Sequence, residues 1–398
     1  MTLRVVAPSG RSPERRYVID LILSEWLGLE YRLEDGPPGR TTISLPGTSA
    51  GSVVLPDVLL GSAPETWLTE ASMPVSPLAR VRVPRVDGVG QAGELPILYG
   101  RTIDGVNAWR QSAGGIDLSV DVFGSAFFFL TRYEEIVRPT GDAHGRFPAA
   151  SSIGAVEGLI ARPLVDEYVD LLWAAFVALW PDLTRRATSF RLRLTHDVDQ
   201  PWAAIGQPPR AVLRALAGDV VRRRDPGLAA RRARAILDAR TGRVDRDPYD
   251  TFDLLMTVSE RHGLRSTFYF LAGNEPGDHD YRYRIGDPRV LGLLRHVHDR
   301  GHEVGLHASY DSYLSPVRIA FEFDALVQAC RTAGFEQATW GVRQHYLRFQ
   351  NPETWNGHEA AGFAHDSTLG YADAVGFRAG TSREYPLFDV RGARPLAL

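Results

Sequence analysis

The chain has 398 residues, of which 44% are hydrophobic and 23% charged, enough apolar material for one large or two ordinary globular domains. Its net charge of −3 excludes a global electrostatic field that would favour nucleic acid. All 45 basic residues are arginines, which excludes chemistry that requires a lysine amine, such as Walker-A phosphate binding and Schiff-base catalysis. The single cysteine, Cys330, excludes an internal disulfide and a thiolate-rich metal site, and its apolar helical context predicts a core position.

The amino terminus predicts no export signal. It lacks a basic segment followed by an apolar run, and no later stretch approaches the roughly 18 apolar residues of a membrane span. We therefore expect a cytoplasmic protein with no membrane span and no nucleic-acid partner.

Residues 1–188 predict an N-terminal α/β domain. Short strands are expected near 41–45 and 52–55, and apolar residues at helical spacing predict helices near 122–137 and 163–179. This part of the sequence contains no constellation of catalytic residue types, so its role stays open.

From residue 189 the pattern changes to alternating strands and amphipathic helices, which is typical of a parallel α/β domain. Strands are expected at 190–194, 267–271, 304–306 and near 338–343 and 362–366, and helices are expected around 252–256, 290–297 and 319–330. An Arg-rich insertion at about 203–247 follows the first strand. We expect solvated helices there, with a lid or a site for phosphate or acidic glycan as alternatives.

Two aspartates mark the end of the first of these strands. Asp197 and Asp199 are two residues apart, so both should point to one face of the strand, with His196 on the other. In parallel α/β folds the catalytic side chains gather at the carboxyl ends of strands. One carboxylate could hold a dication while the other accepts a proton; an acidic strand end capped by backbone amides is the alternative.

Two histidines flank the third strand. His302 and His307 are five residues apart, whereas the zincin helix motif spaces its histidines by four, so a zincin site is excluded. Odd spacing sends them to opposite faces of a strand. We expect His307, at the strand end, to join the pocket and His302 to be structural.

The order of these motifs resembles the polysaccharide deacetylase (NodB homology) family. The segments that carry the resemblance are Thr195-His196-Asp197-Val198-Asp199, Ser266–Phe270, Gly301–His307, Gly341-Val342-Arg343 and His365-Asp366-Ser367-Thr368. Residues 14–180 also resemble the uncharacterised domain that often precedes such domains, notably at 121–125 and 145–148. The resemblance implies a distorted (β/α) barrel over residues 189–398.

The resemblance also implies a mechanism. A divalent metal, expected to be Zn²⁺, would be held by Asp199, His307 and Asp311. Asp197 would act as general base, oriented by a charge-assisted hydrogen bond from Arg343.

Substrate contacts are implied as well. A backbone N–H near Tyr310 would stabilise the oxyanion, and Asp366 would contact the substrate, a carbohydrate. Tyr346, Trp355 and Tyr371 could stack on a sugar, although packing is the more usual role of aromatic residues near strand ends.

Three departures from the family pattern leave alternatives open. Asp311 stands where the family has its second metal histidine, and His345 could supply that nitrogen instead. Val198 separates two carboxylates that are normally adjacent. The late general-acid histidine is missing before the chain ends at Leu398. We therefore expect a truncated domain, or His365 or His345 in the catalytic acid role, or no protonation of the leaving group.

Three functional hypotheses follow. The first is a metal-dependent deacetylase of N-acetylated sugars in a surface-polysaccharide pathway. The second is a non-catalytic relative that binds glycan or metal. The third is hydrolysis of another non-peptide C–N bond with the same residues.

Overall fold

The computed structural model describes residues 1–84, 93–203, 209–239, 247–273, 279–280 and 283–398, and it shows a mixed α/β protein with several sheets. The chain forms two compact units. One contains Met1–Ser189, Phe349–Trp355 and Leu369–Ala397, and the other contains Phe190–Arg348, Asn356–Thr368 and Leu398. Parts of the Arg-rich insertion lie outside the described residues.

The first unit is built on a mixed sheet. Its strands are β1 (Thr2–Ala7), β2 (Glu30–Asp35), β3 (Arg40–Ser44), β4 (Ser52–Pro56), β5 (Arg80–Arg82), β6 (Glu94–Pro96), β7 (Trp109–Ser112) and β8 (Gly115–Leu118). Its helices are α1 (Ser12–Ile19), which continues as a π-helix over Asp20–Trp26, α2 (Val122–Leu130), α3 (Tyr133–Val137), α4 (Ile153–Val156) and α5 (Leu164–Leu179). Six strands pair in the order β2-β1-β3-β4-β8-β7, and β5 pairs with β6.

A buried aspartate organises the start of helix α2. Asp121 caps the helix by accepting the N–H of Gly124 at 2.8 Å, and its other oxygen accepts the N–H groups of Val58 and Leu59. Burial, aided by the charge of Asp57, raises the pKa of Asp121 to about 6. This motif of the N-terminal domain therefore joins a helix to a loop, which is a structural role.

The second unit alternates strands and helices. Its strands are β9 (Leu194–Val198), β10 (Ser266–Leu271), β11 (Glu303–Ala308), β12 (Gly341–Gln344) and β13 (His365–Asp366). Its helices are α6 (Pro209–Val221), α7 (Pro226–Ala239), α8 (Phe252–Arg261), α9 (Pro288–Asp299), α10 (Pro316–Thr332) and α11 (Glu353–Ala361). The first three residues of α11 belong to the first unit.

The second unit's strands form one parallel sheet in the order β13-β12-β11-β10-β9, which is open among the described residues. The central strands are apolar, and α9 buries the residues spaced i, i+3, i+4 and i+7, namely Val290, Leu293, Leu294 and Val297. Cys330 is buried in the same core, as predicted. Because all the strands run in one direction, their carboxyl ends meet at one edge of the sheet.

The first strand of this sheet begins later than its sequence predicts. Phe190 is 92% exposed, and β9 starts only at Leu194, which is paired with Ser266 at the start of β10. The sequence pattern predicted a strand over 190–194, but a strand also requires a hydrogen-bonding partner, and β10 begins opposite Leu194. As a result Asp197 lies within β9 and Asp199 directly follows it.

The C-terminal segment completes the first unit. Strands β14 (Phe388–Asp389) and β15 (Arg394–Pro395) form an antiparallel pair. The Phe388 ring is fully buried, 4.8 Å from the ring of Tyr17 and 5.6 Å from that of Phe127. The segment therefore belongs to the hydrophobic core of this unit.

None of the helices in the described part of the chain is both long enough and apolar enough to cross a membrane.

Candidate metal centre

One carboxylate oxygen and two imidazole nitrogens meet at the carboxyl edge of the parallel sheet. Asp199 Oδ1 lies 3.2 Å from His307 Nε2 and 3.5 Å from His345 Nε2. The three ligand-type atoms all lie within 4.8 Å of one another. Asp199 follows β9, His307 lies on β11 and His345 follows β12, so strand order rather than local sequence brings them together.

The environment of Asp199 Oδ1 is unusual for a carboxylate oxygen. It is buried, and its contacts with the two imidazoles miss hydrogen-bond geometry, so it accepts no hydrogen bond from the described residues. Burial would raise the pKa of Asp199, but the imidazoles of His307 and His345 outweigh that effect and hold the pKa well below its ordinary value. The Asp199 carboxylate is therefore held in its ionised form, with Oδ1 facing the Nε2 atoms of both imidazoles.

Two of the three separations between these atoms are close to those of a tetrahedral cation site. With metal–ligand bonds of roughly 2.0–2.2 Å, two ligands of a tetrahedral zinc ion lie roughly 3.4 Å apart. The two measured separations, 3.2 and 3.5 Å, fall on either side of that value. Two imidazoles and one carboxylate are also a donor set that zinc accepts, whereas Mg²⁺ and Ca²⁺ prefer oxygen ligands alone. The residues present therefore fit the cation that the sequence implied.

The Nδ1 atom of each histidine in the cluster forms a hydrogen bond that holds the ring. His307 Nδ1–H donates to the backbone carbonyl of Arg343 at 2.9 Å, and His345 Nδ1–H donates to Asp280 Oδ1 at 2.8 Å. Both hydrogen bonds leave Nε2 facing Asp199, which is the arrangement that orients histidine ligands in metal sites. Burial lowers the pKa of His345, but Asp199 and Asp280 outweigh it and raise the pKa to about 9.

The second carboxylate of the motif forms an ion pair beside the cluster. Arg343 Nη1 donates to Asp197 Oδ1 at 2.9 Å, while Arg343 Nε donates to the carbonyl of Ser367 at 3.1 Å. The guanidinium carbon also lies 5.0 Å from the centre of the Tyr269 ring. Three contacts thus fix the arginine that holds Asp197, with the charge-assisted hydrogen bond that the sequence suggested.

The histidines outside this pocket have structural surroundings. His196, next to Asp197, lies over Phe268 with ring centres 4.7 Å apart, and its Nε2 is 3.3 Å from Ser266 Oγ. His302 is buried and accepts the Ser266 N–H at 3.0 Å through Nδ1. Both therefore lie on the core side of the sheet, as the alternation of strand side chains requires.

The residue that the sequence proposed as third metal ligand lies away from the cluster. Asp311 is 60% exposed and pairs with Arg348 at 3.1 Å, outside the group formed by Asp199, His307 and His345. Spacing within one segment suggested Asp311, whereas the end of another strand supplies His345. The second imidazole of the cluster comes instead from the residue directly after β12.

The two residues assigned to substrate contact are engaged within the fold. The Tyr310 N–H donates to Asp280 Oδ1 at 3.0 Å, so it is not available to an oxyanion in this arrangement. The Asp366 side chain is buried, accepts two hydrogen bonds from Thr368 and lies 2.7 Å from His358 Nδ1. Asp366 therefore supports the strand end rather than reaching into the pocket.

His365, considered above as a catalytic acid, is exposed on β13 and is not part of the Asp–His–His group. Its ring lies over Gly341: a Cβ atom added to that glycine would come within 2.0 Å of His365 Nε2. Asn274, which the sequence placed at the end of the second strand, lies outside the described residues.

Sequence reasoning missed two features of this edge. Asp280, which holds His345, lies in the long connection between β10 and α9, where no periodic pattern marks it. Tyr346 and Leu347, directly after His345, have positive φ angles of 62° and 56°, a left-handed conformation that is costly for residues other than glycine. Such backbone strain clusters at functional sites.

These observations describe a parallel α/β unit with an Asp–His–His cluster at the carboxyl edge of its sheet, a group of side chains that could hold a metal ion. Residues 3–181 match the Family of unknown function (DUF7033). That match ends before β9 and includes none of the cluster residues. No curated protein and no solved structure matches the chain.

Proposed function

We propose that this protein is a metal-dependent hydrolase that removes acetyl groups from N-acetylated sugars in a surface-polysaccharide pathway, and that its second unit is a distorted barrel of the polysaccharide deacetylase type. The single observation that carries the proposal is Asp199 Oδ1, a buried ionised oxygen that faces two imidazole nitrogens at 3.2 and 3.5 Å. A cytoplasmic location, which we also propose, favours a precursor over the finished polymer as substrate.

Asp199, His307 and His345 would hold the cation, for which we propose Zn²⁺. When bound, the cation supplies a Lewis acid that polarises the amide carbonyl and lowers the pKa of water at the site. The neighbouring Asp197 then takes the proton of the attacking water as general base. Arg343 holds one oxygen of Asp197 at 2.9 Å, which keeps the carboxylate oriented toward the edge where the cluster lies.

One observation favours the alternative of a binding protein without catalysis. The Tyr310 N–H that would stabilise an oxyanion is donated to Asp280. Catalysis in this arrangement therefore depends on the cation and on other donors at the edge. A protein that binds zinc and glycan but releases no acetate would correspond to this alternative.

Zinc content and acetate release test the proposal together. We expect about one zinc per chain in the purified wild-type protein, measured by plasma mass spectrometry, and acetate release from an N-acetylglucosamine oligomer. Asp199→Ala should lose both, because the cluster loses its only anionic ligand. Asp197→Asn should keep zinc and lose acetate release, because its amide cannot accept the proton.

Asp311→Ala is the matched control. It removes another carboxylate from the same edge, one that is exposed and paired with Arg348, and we expect it to retain zinc. Circular dichroism of each variant checks that the fold persists. A wild-type protein that binds no zinc, or an Asp199→Ala protein that keeps it, would contradict the proposal.

A further inference from the structure

A single buried carboxylate oxygen connects the turn after β11 with the histidine after β12. Asp280 Oδ1 accepts the N–H of Tyr310 at 3.0 Å and lies 2.8 Å from His345 Nδ1. Its side chain is only 7% exposed. Burying a carboxylate is costly unless it is paired and hydrogen-bonded, and these two contacts help to compensate that cost.

The two contacts of Asp280 constrain different parts of the cluster. The bond from His345 fixes which ring nitrogen carries the proton and directs Nε2 to Asp199, 3.5 Å away. The bond from Tyr310 ties down the chain three residues after His307, the other imidazole of the cluster. Loss of Asp280 would therefore free the His345 ring and the turn beside His307 at once.

We propose that Asp280 is a positioning residue of the cation site, which pre-orients His345 through a carboxylate–imidazole contact and anchors the loop after β11. The inference rests on the proposed metal function and adds a residue to it that lies outside the recognised motifs.

A neighbouring residue provides a matched comparison. Glu322, on helix α10, is also buried, and it accepts the N–H of Ser309 at 2.9 Å and is hydrogen-bonded by the Ser309 hydroxyl. It therefore stabilises the same turn as Asp280, one residue earlier. Unlike Asp280, it has no hydrogen bond to either imidazole of the cluster among the described contacts.

The experiment compares zinc affinity with the stability of the zinc-free protein in three variants: Asp280→Ala, Asp280→Asn and Glu322→Gln. Affinity is measured by competition with a chromogenic chelator, and stability by urea unfolding after zinc removal. We expect Asp280→Ala to bind zinc about 10- to 100-fold more weakly, the loss typical of removing a partner that holds a ligand. Asp280→Asn should recover most of that loss, because an amide oxygen can still accept from His345 and Tyr310. Glu322→Gln should keep wild-type affinity.

Each outcome has one reading. If Asp280→Ala is too unstable to measure, Asp280→Asn is the test of the positioning role. A zinc affinity reduced by a few-fold, with unchanged stability of the zinc-free protein, supports that role. Wild-type affinity in both Asp280 variants would overturn the inference and leave the proposed function standing. An equal loss in Glu322→Gln and Asp280→Ala would overturn it too, because it would point to packing of the turn. No zinc binding by the wild type would overturn both proposals.

Discussion

The clearest stability prediction concerns a buried carboxylate between two arginines in the first unit. Glu135 accepts hydrogen bonds from Arg378 at 2.8 and 2.7 Å and from Arg132 at 2.9 Å. The side chain of Glu135 is 6% exposed and those of both arginines 1%. Glu135→Gln should lower the free energy of unfolding by about 3–5 kcal/mol, the cost of leaving buried charges without their partner.

The pH dependence of this effect follows from the sign of the pKa shift. Burial raises the pKa of Glu135, but Arg378 and Arg132 outweigh burial, so the pKa lies below its ordinary value of 4.5. A depressed pKa stabilises the fold above the unfolded value, and that contribution is lost as the pH falls toward the folded value. The difference between wild type and Glu135→Gln should therefore be full at pH 7 and shrink below about pH 4.5.

Urea unfolding followed by tryptophan fluorescence measures this difference, since six of the eight tryptophans belong to the first unit. Glu34→Gln is the control: its partner is Arg4 at 2.7 Å, but both side chains are about half exposed, so the variant should unfold like the wild type. A Glu135→Gln protein within about 1 kcal/mol of the wild type at pH 7 would refute the reasoning that burial makes this ion pair essential.

Two further predictions concern the second unit. Arg343→Lys should lower kcat/KM for acetate release about 10- to 100-fold while zinc content stays constant. The reason is that a lysine cannot hold both Asp197 and the Ser367 carbonyl. An unchanged kcat/KM would show that Arg343 has no role in the mechanism. Burial raises the pKa of the Cys330 thiol to about 12, so a disulfide reagent at pH 8 should react only after unfolding; rapid reaction of the native protein would contradict its core position.

The elements that the sequence predicts best are those whose burial follows a simple period. Helix α9 buries the four apolar residues that its pattern marks, and Cys330 lies in the core as its helical context indicates. The strand over 190–194 was predicted from the same kind of pattern, yet Phe190 is exposed. A period describes which face of an element is apolar, but whether a strand forms depends on a partner that is distant in sequence.

The candidate site likewise contains residues that a sequence pattern locates and residues that only the structure brings together. Asp199 and His307 come from strand ends that the βα pattern locates, and the parallel order of the sheet brings them to 3.2 Å across the intervening β10. Asp280 lies in an aperiodic connection, so only the structure relates it to His345. Motif spacing therefore finds candidate ligands at strand ends, and misses the residues that hold them in place.

The choice between Asp311 and His345 shows why the third ligand needed the structure. Spacing after β11 favoured Asp311, because the family that the sequence resembles takes both imidazoles from one segment. Here the chain turns sharply at the end of β12, where Tyr346 and Leu347 adopt left-handed backbone angles directly after His345. The His345 ring ends with Nε2 3.5 Å from Asp199 and Nδ1 against Asp280. Backbone strain of this kind is usually retained where the position of a side chain matters for function, which supports His345 as a candidate ligand.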